Sequence, residues 1–186
     1  ECRMPLCYGG GITNVNQAKK IFSLGVEKIA ISSAAIKNPT LITQLAESVG
    51  SQSVVIVMDI RKKILGDNYE LVTHNGTKKT GISPVKFVEE IKELGVGEIV
   101  INSIDRDGTM EGYDYQLIDK IRSLTTLPMT ILGGAGSLED IGNLISRYKI
   151  IGAGAGSIFV FKGKYRAVLI NYPNDKEKMD LIKKYM

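Results

Sequence analysis

The sequence has no tryptophan, a single histidine (His74) and only two cysteines, Cys2 and Cys7. One imidazole and two thiols do not make a zinc set. The same scarcity disfavours a serine or cysteine triad, because His74 falls in a polar insertion and at no strand end. Cys2 and Cys7 read as reduced thiols of a cytoplasmic protein. No apolar run approaches the roughly 20 residues of a membrane span. Aromatic residues make up 6% and the net charge is +4, which is no nucleic-acid footprint but suits small anions such as phosphates.

What remains is ordinary in bulk. The 186 residues are 44% hydrophobic and 24% charged, enough for a single domain with a sizeable core. Glycine is the outlier, 20 of 186 residues against a usual ~7%. No collagen period or Gly/Ser linker absorbs these residues, so they belong to local turns and loops. The chain does not begin with Met, and its apolar pattern starts at once with Met4-Pro5-Leu6-Cys7-Tyr8. That reads as a chain entered partway through a domain.

One unit recurs: a short apolar run, a Gly- or Ser-rich loop, then an amphipathic stretch. The first run ends at Gly9-Gly10-Gly11 and precedes a helix over Asn14–Leu24. Lys28–Ile31 leads through Ser32–Ala35 to a helix over Pro39–Val49. Val54–Met58 ends at Asp59. Glu98–Asn102 ends in a polar loop from Ser103 to Gly112. Met129–Leu132 ends at Gly133-Gly134-Ala135-Gly136, and Ile150–Ala153 at Gly154-Ala155-Gly156-Ser157. Continuous apolar strands alternating with amphipathic helices give a parallel α/β sheet with helices on its outer face. Ser83-Pro84 and Ser137 mark helix starts, and Gly25 and Gly95 helix ends. Residues 61–81 are too polar for a helix, and Asp67-Asn68 and Asn75-Gly76 are turn signals, so an inserted β-hairpin is expected there. It would be a mobile lid or a fixed cover. Asn174–Met186 reads as a charged terminal helix.

In such folds chemistry gathers where strands end. Three of those ends carry glycine clusters, which let backbone N–H groups approach an anion. Each cluster alone is equally a tight turn, whereas three at successive strand ends favour phosphate binding at two separated sites. Asp59 follows five apolar residues, where a carboxylate needs a partner or a task. It is either a structural acceptor or a general acid/base. Asp107, in Asp105-Arg106-Asp107-Gly108-Thr109, is either a turn residue or a second carboxylate at the same mouth. Lys28 and Glu98 begin their strands, as surface charges or as an ion pair closing the lower end.

From Pro5 to about Phe159 the sequence resembles the cyclase subunit family of imidazole glycerol phosphate synthase. The resemblance is carried by Tyr8–Ile12, Lys28–Ala35 with Asn38-Pro39, Val57–Asp59, Thr73–Gly76, Ser103–Asp114, Leu127-Pro128, Gly133–Gly136 and Gly156-Ser157. It implies a (β/α)8 TIM barrel, of which this chain covers about the last six βα units as one partial domain over 1–186. It also implies a synthase of histidine biosynthesis that takes ammonia from a glutaminase docked on the amino-end face and closes an imidazole ring on a bis-phosphorylated ribotide. By resemblance Asp59 is one of the family's two catalytic carboxylates, while Asp107, kept as a second catalytic candidate from its position, lies with Gly108 at the second phosphate beside Gly134, Gly156 and Ser157. Gly11 and Ser33 fall at the first phosphate, and Lys28 and Glu98 match half of an ammonia gate. The resemblance implies no metal, cofactor, membrane or nucleic-acid role.

There are also departures. The family's other catalytic Asp belongs to a first strand that this sequence does not contain. Ser32 stands for an Asn, Asn102 for a Thr and Leu132 for a Ser. The stretch Ile158–Pro173 replaces a nearly direct passage into the last helix. These features are similar to a paralogous branch serving acetamido-to-acetamidino sugar modification in surface polysaccharides. A non-catalytic ammonia conduit is a third possibility.

Overall fold

Side-chain alternation along the apolar runs decides the architecture. In the computed structural model, which describes residues 4–64, 68–163 and 165–185, strand β3 (Val54–Lys62) buries Ile56, Met58 and Ile60 completely, while Val57, Asp59 and Arg61 between them are half-buried. The same two-residue period runs through β2 (Lys28–Ile31), β6 (Glu98–Ser103) and β7 (Met129–Leu132). One parity forms the core with the covering helices. The other lines an inner face that carries the polar residues Lys28, Asp59, Glu98, Asn102 and Thr130. Successive side chains of a strand point to opposite sides, so the sequence sorts itself into these two faces.

Strands β1 (Cys7–Gly9), β2, β3, β6, β7 and β8 (Gly152–Ala153) pair in parallel in that order. The order follows the chain and never reverses, so the topological switch point of a doubly wound fold is missing from this path. A singly wound parallel sheet with helices between its strands is the winding of a barrel. The connections are α1 (Val15–Phe22), then α2 (Ser33–Lys37) with α3 (Thr40–Val49), α4 (Pro84–Ile91), α5 (Tyr115–Arg122) and α6 (Leu138–Tyr148). Among the described residues no helix is long and apolar enough to cross a membrane.

Several helix starts follow from single side chains. Asn14 accepts from the Gln17 N–H at 3.0 Å, and Asp114 from the Leu117 N–H at 3.1 Å. Pro84 opens α4 with its imino group where no donor is needed. Pro39 differs from expectation: it is the cap of α3 rather than a residue of its first turn. Ser32–Ala35, read as loop, feeds the short helix α2.

The inserted segment also differs in detail. Its first arm is the continuation of β3 itself, past Asp59 to Lys62. This arm pairs antiparallel with β4 (Tyr69–Thr73), and β4 pairs with β5 (Lys78–Lys79). His74, Asn75 and Gly76 turn the chain with positive φ, as Asn-Gly turns require. The expected turn at Asp67 lies outside the described residues, as does Cys2. Tyr69, Leu71 and Val72 are buried, and the Tyr69 hydroxyl donates to Asp114 at 3.0 Å. Through β4 the hairpin packs into the core as a wall.

The sixth run is shorter than expected: β8 covers only Gly152–Ala153, and Ile150 is 84% exposed. Lys149 adopts a left-handed conformation (φ 62°) after α6, which turns the chain before the strand can start. Beyond β8 come α7 (Ser157–Val160), an antiparallel pair β9 (Phe161–Lys162) and β10 (Ala167–Val168), and α8 (Asp175–Tyr185). Asn174 and Glu177 cap α8 reciprocally at 2.9 and 2.7 Å. The Tyr185 ring rests against Gly142 of α6, where any side chain would collide with it.

Candidate active site

The inner face has a floor at the amino ends of the strands and a mouth at their carboxyl ends. On the floor, Lys28 and Glu98 are brought together: Lys28 Nζ donates to Glu98 Oε2 at 2.7 Å. Thr130 Oγ1 donates to the other oxygen, Oε1, at 2.7 Å. Burial opposes the charge on Glu98, but the two hydrogen bonds and the Lys28 charge prevail and hold its carboxyl below its ordinary range. Cys7 stands opposite Lys28 in the ladder. Burial and then the Glu98 charge push its thiol up, against the pull of Lys28.

Asp59 sits on the inner face near the carboxyl end of β3. It lies directly across from Asn102 in β6, whose Nδ2 donates to Asp59 Oδ1 at 2.8 Å. Leu132 is the next residue across, on β7. Asp107 is exposed on the loop after β6, its N–H bonded to the Ser103 carbonyl at 3.0 Å. The carboxylate of that loop tied to β3 is Asp105, which accepts from the Lys62 N–H at 2.6 Å and faces Arg61 Nε at 3.7 Å.

The glycine clusters divide into two kinds. Gly10 and Gly11 have positive φ and open space around them. With Gly9, Ala30, Ser32, Ser33 and Val57 they line a cavity of about 350 Å³. Ser32 Oγ is buried with no hydrogen-bond partner, and a buried hydroxyl without a partner is unfavourable in a dry pocket.

The second cluster is tightly packed. A Cβ at Gly133, Gly134 or Gly136 would lie 2.4, 2.1 and 2.1 Å from the carbonyl oxygens of Ser103, Gly112 and Met110. The Gly112 N–H donates to the Gly134 carbonyl at 2.7 Å, and Asp140 takes the Gly136 N–H at 3.0 Å. These glycines let the loop after β7 lie against the loop after β6. Gly108 and Gly156 face open space, and Ser157 opens α7 directly after Gly156. Tyr113 ties the same region to the end of β8 by donating to the Gly154 carbonyl at 3.0 Å.

Sequence reasoning passed over three residues. Thr130 reads as one more residue of an apolar strand, and only its inward parity at the amino end marks it. Asp105 is hidden beside Asp107. Arg166 comes from the divergent tail: its guanidinium donates to the Gly108 carbonyl and lies 5.2 Å over the Phe161 ring.

A singly wound parallel sheet with a polar inner face and glycine loops at its carboxyl ends defines a class, the (β/α)8 barrels, represented here by six of their strands. Comparison with known proteins places the chain within it. The family model described as "Histidine biosynthesis protein" matches residues 1–166, and the chain belongs to that family. A Leptospira borgpetersenii protein, provisionally named imidazole glycerol phosphate synthase subunit HisF, is 58% identical over 178 residues, covering 96% of this chain and 70% of that protein. A Vibrio vulnificus protein provisionally named subunit hisF3 is 54% identical, covering 96% and 68%. The imidazole glycerol phosphate synthase subunit HisF of Chlorobium limicola is 41% identical over 162 residues, covering 87% and 64%.

Proposed function

We propose that this chain is the cyclase part of an imidazole glycerol phosphate synthase, an enzyme subunit of histidine biosynthesis working in the cytoplasm with a glutaminase. The carrying observation is Asp59, held by Asn102 on the inner face near the β3 carboxyl end. A carboxylate so fixed, with one oxygen engaged and the other unassigned, suits proton transfer on a bound ribotide. Gly11 and Ser33 hold one phosphate, and Gly108, Gly134, Gly156 and Ser157 the other, with Asp107 at the rim. The second carboxylate of the pair belongs to a strand that precedes β1 in the family. Ammonia from a glutaminase on the amino-end face enters between Lys28 and Glu98 and travels along the inner face to the mouth.

The test is turnover of the bis-phosphorylated ribulosyl-formimino carboxamide ribotide by the full-length protein with ammonium salt. Release of the aminoimidazole product, and its loss in Asp59→Asn, supports the reading. Ligand binding without turnover in the unsubstituted protein refutes it and leaves the ammonia conduit role for this barrel, whereas turnover surviving in Asp59→Asn would refute the acid/base role of Asp59.

A second reading has its own support. The relatives at 54–58% identity are more similar than the 41% Chlorobium protein, and the V. vulnificus one is numbered hisF3. Leu132 and Asn102 change the inner lining, and the tail brings Arg166 to the mouth. These fit the sugar-modifying paralogue, in which glutaminase-derived ammonia serves acetamido-to-acetamidino conversion. Formation of an acetamidino sugar in the reconstituted system, without aminoimidazole release, would select it.

A further inference from the structure

On the floor, the Glu98 side chain is 17% exposed and that of Lys28 43%. The more enclosed partner has two oxygens to satisfy. Lys28 serves Oε2, and Oε1 needs a second donor, since an enclosed carboxylate oxygen without one carries a desolvation penalty. That donor is Thr130, from the neighbouring strand β7. Its hydroxyl has room for a specific reason. Thr130 stands opposite Gly152 in the β7–β8 ladder, and a Cβ at residue 152 would lie 2.1 Å from Thr130 Oγ1. Thr130 and Gly152 therefore form one device built across two strands.

We infer that Thr130 is a positioning residue of the floor: its hydroxyl, admitted by the missing side chain at Gly152, fixes the Glu98 carboxylate against Lys28 and sets the closed position of the passage. The inference rests on the reading of Lys28 and Glu98 as the ammonia entry, and it adds two residues from two further strands, Thr130 of β7 and Gly152 of β8. Held at both oxygens, Glu98 cannot swing aside by breaking one bond. Passage requires two bonds to yield together, which ties opening to a movement of β7 against β6.

The experiment uses the full-length protein with its glutaminase in two arms. The first compares glutamine-supported with ammonium-supported turnover. Thr130→Val keeps the shape and removes the donor, and it should lower that ratio at least threefold. Gly152→Ala should act alike by displacing the hydroxyl, and Thr130→Ser should restore the ratio to within twofold of the parent. The second arm needs no turnover. Alkylation of Cys7 at fixed pH, followed on the peptide that carries it, reports the field of Glu98, which opposes its thiolate. Thr130→Val frees one oxygen of that carboxylate, lets it move relative to the thiol, and should change the alkylation rate about twofold in either direction, whereas Thr130→Ser should not. A changed alkylation rate with an unchanged turnover ratio upholds the Thr130–Glu98 hold and refutes the ammonia entry instead. Equal behaviour of the Val and Ser variants in both arms overturns the inference.

Discussion

Asn102 donates from Nδ2 to Asp59 Oδ1 at 2.8 Å across directly paired positions of β6 and β3. Position and chemistry are coupled here. Register puts the two residues side by side on the same face, and a neutral amide can then orient a carboxylate without adding charge. Leu132, next in register, supplies no polar group, so Asn102 is the neighbour that fixes the rotation of the Asp59 carboxyl.

Replacing that donor should cost rate more than affinity. Asn102→Val is expected to lower kcat about tenfold, equivalent to ~1.4 kcal/mol of barrier, with KM changing less. Asn102→Thr returns a hydroxyl on the same branched frame and should recover a substantial part. Steady-state kinetics of the two variants decides the matter. If Val and Thr are indistinguishable, the hydrogen bond is not what Asp59 needs.

The floor predicts a pH dependence of stability. The folded carboxyl of Glu98 ionises more readily than its unfolded counterpart, because the Lys28 and Thr130 bonds and the Lys28 charge outweigh burial. The sign follows from linkage. A depressed folded value gives stability that is present above the ordinary glutamate value and is lost as pH falls through the folded one. Urea midpoints should therefore fall between about pH 5 and pH 3, and more shallowly in Glu98→Gln. Parallel slopes for the two proteins would contradict the assignment.

Two glycines of the mouth should respond differently to alanine. Gly134 has φ 109° and a backbone oxygen 2.1 Å from the would-be Cβ, whereas Gly108 has φ 74° and nothing within 4 Å. Gly108→Ala meets only the left-handed penalty of ~1–2 kcal/mol. Gly134→Ala adds a collision with backbone and should cost more, about 3 kcal/mol or above. Chemical denaturation of both variants measures the difference, and a smaller loss at Gly134 would mean that the two loops are not locked together.

Much of this frame was legible because parallel strands and amphipathic helices carry different periods. Asp59, Lys28 and Glu98 stood out as charges at the ends of apolar runs, so their places could be read, although their tasks could not. Other features escaped for physical reasons. The extension of β3 to Lys62 depends on its pairing with β4, and polar residues such as Arg61 and Lys62 carry no strand signal alone. Ile150 looks like core and is exposed, because Lys149 turns the chain first. Gly133–Gly136 and the open glycines read alike in sequence. What separates them is a carbonyl from another loop, contributed some 20 to 30 residues away in the chain.

Arg166 is the residue least visible in advance and the most open to test. It lies in the turn between β9 and β10 at φ 48°, 58 residues in sequence from the Gly108 carbonyl to which it donates. One bond to a carbonyl leaves other guanidinium N–H groups to serve an anion beside Gly108, and stacking on Phe161 restrains the side chain. If the second phosphate binds there, Arg166→Ala should raise the Kd of the bis-phosphorylated ligand about tenfold, or ~1.4 kcal/mol. Arg166→Lys keeps the charge but not the planar fork, and should recover only part. Calorimetric titration at low and high salt separates the outcomes. A loss that shrinks with added salt identifies charge recognition. An unchanged Kd would reduce Arg166 to a strut that holds the loop after β6 against the tail.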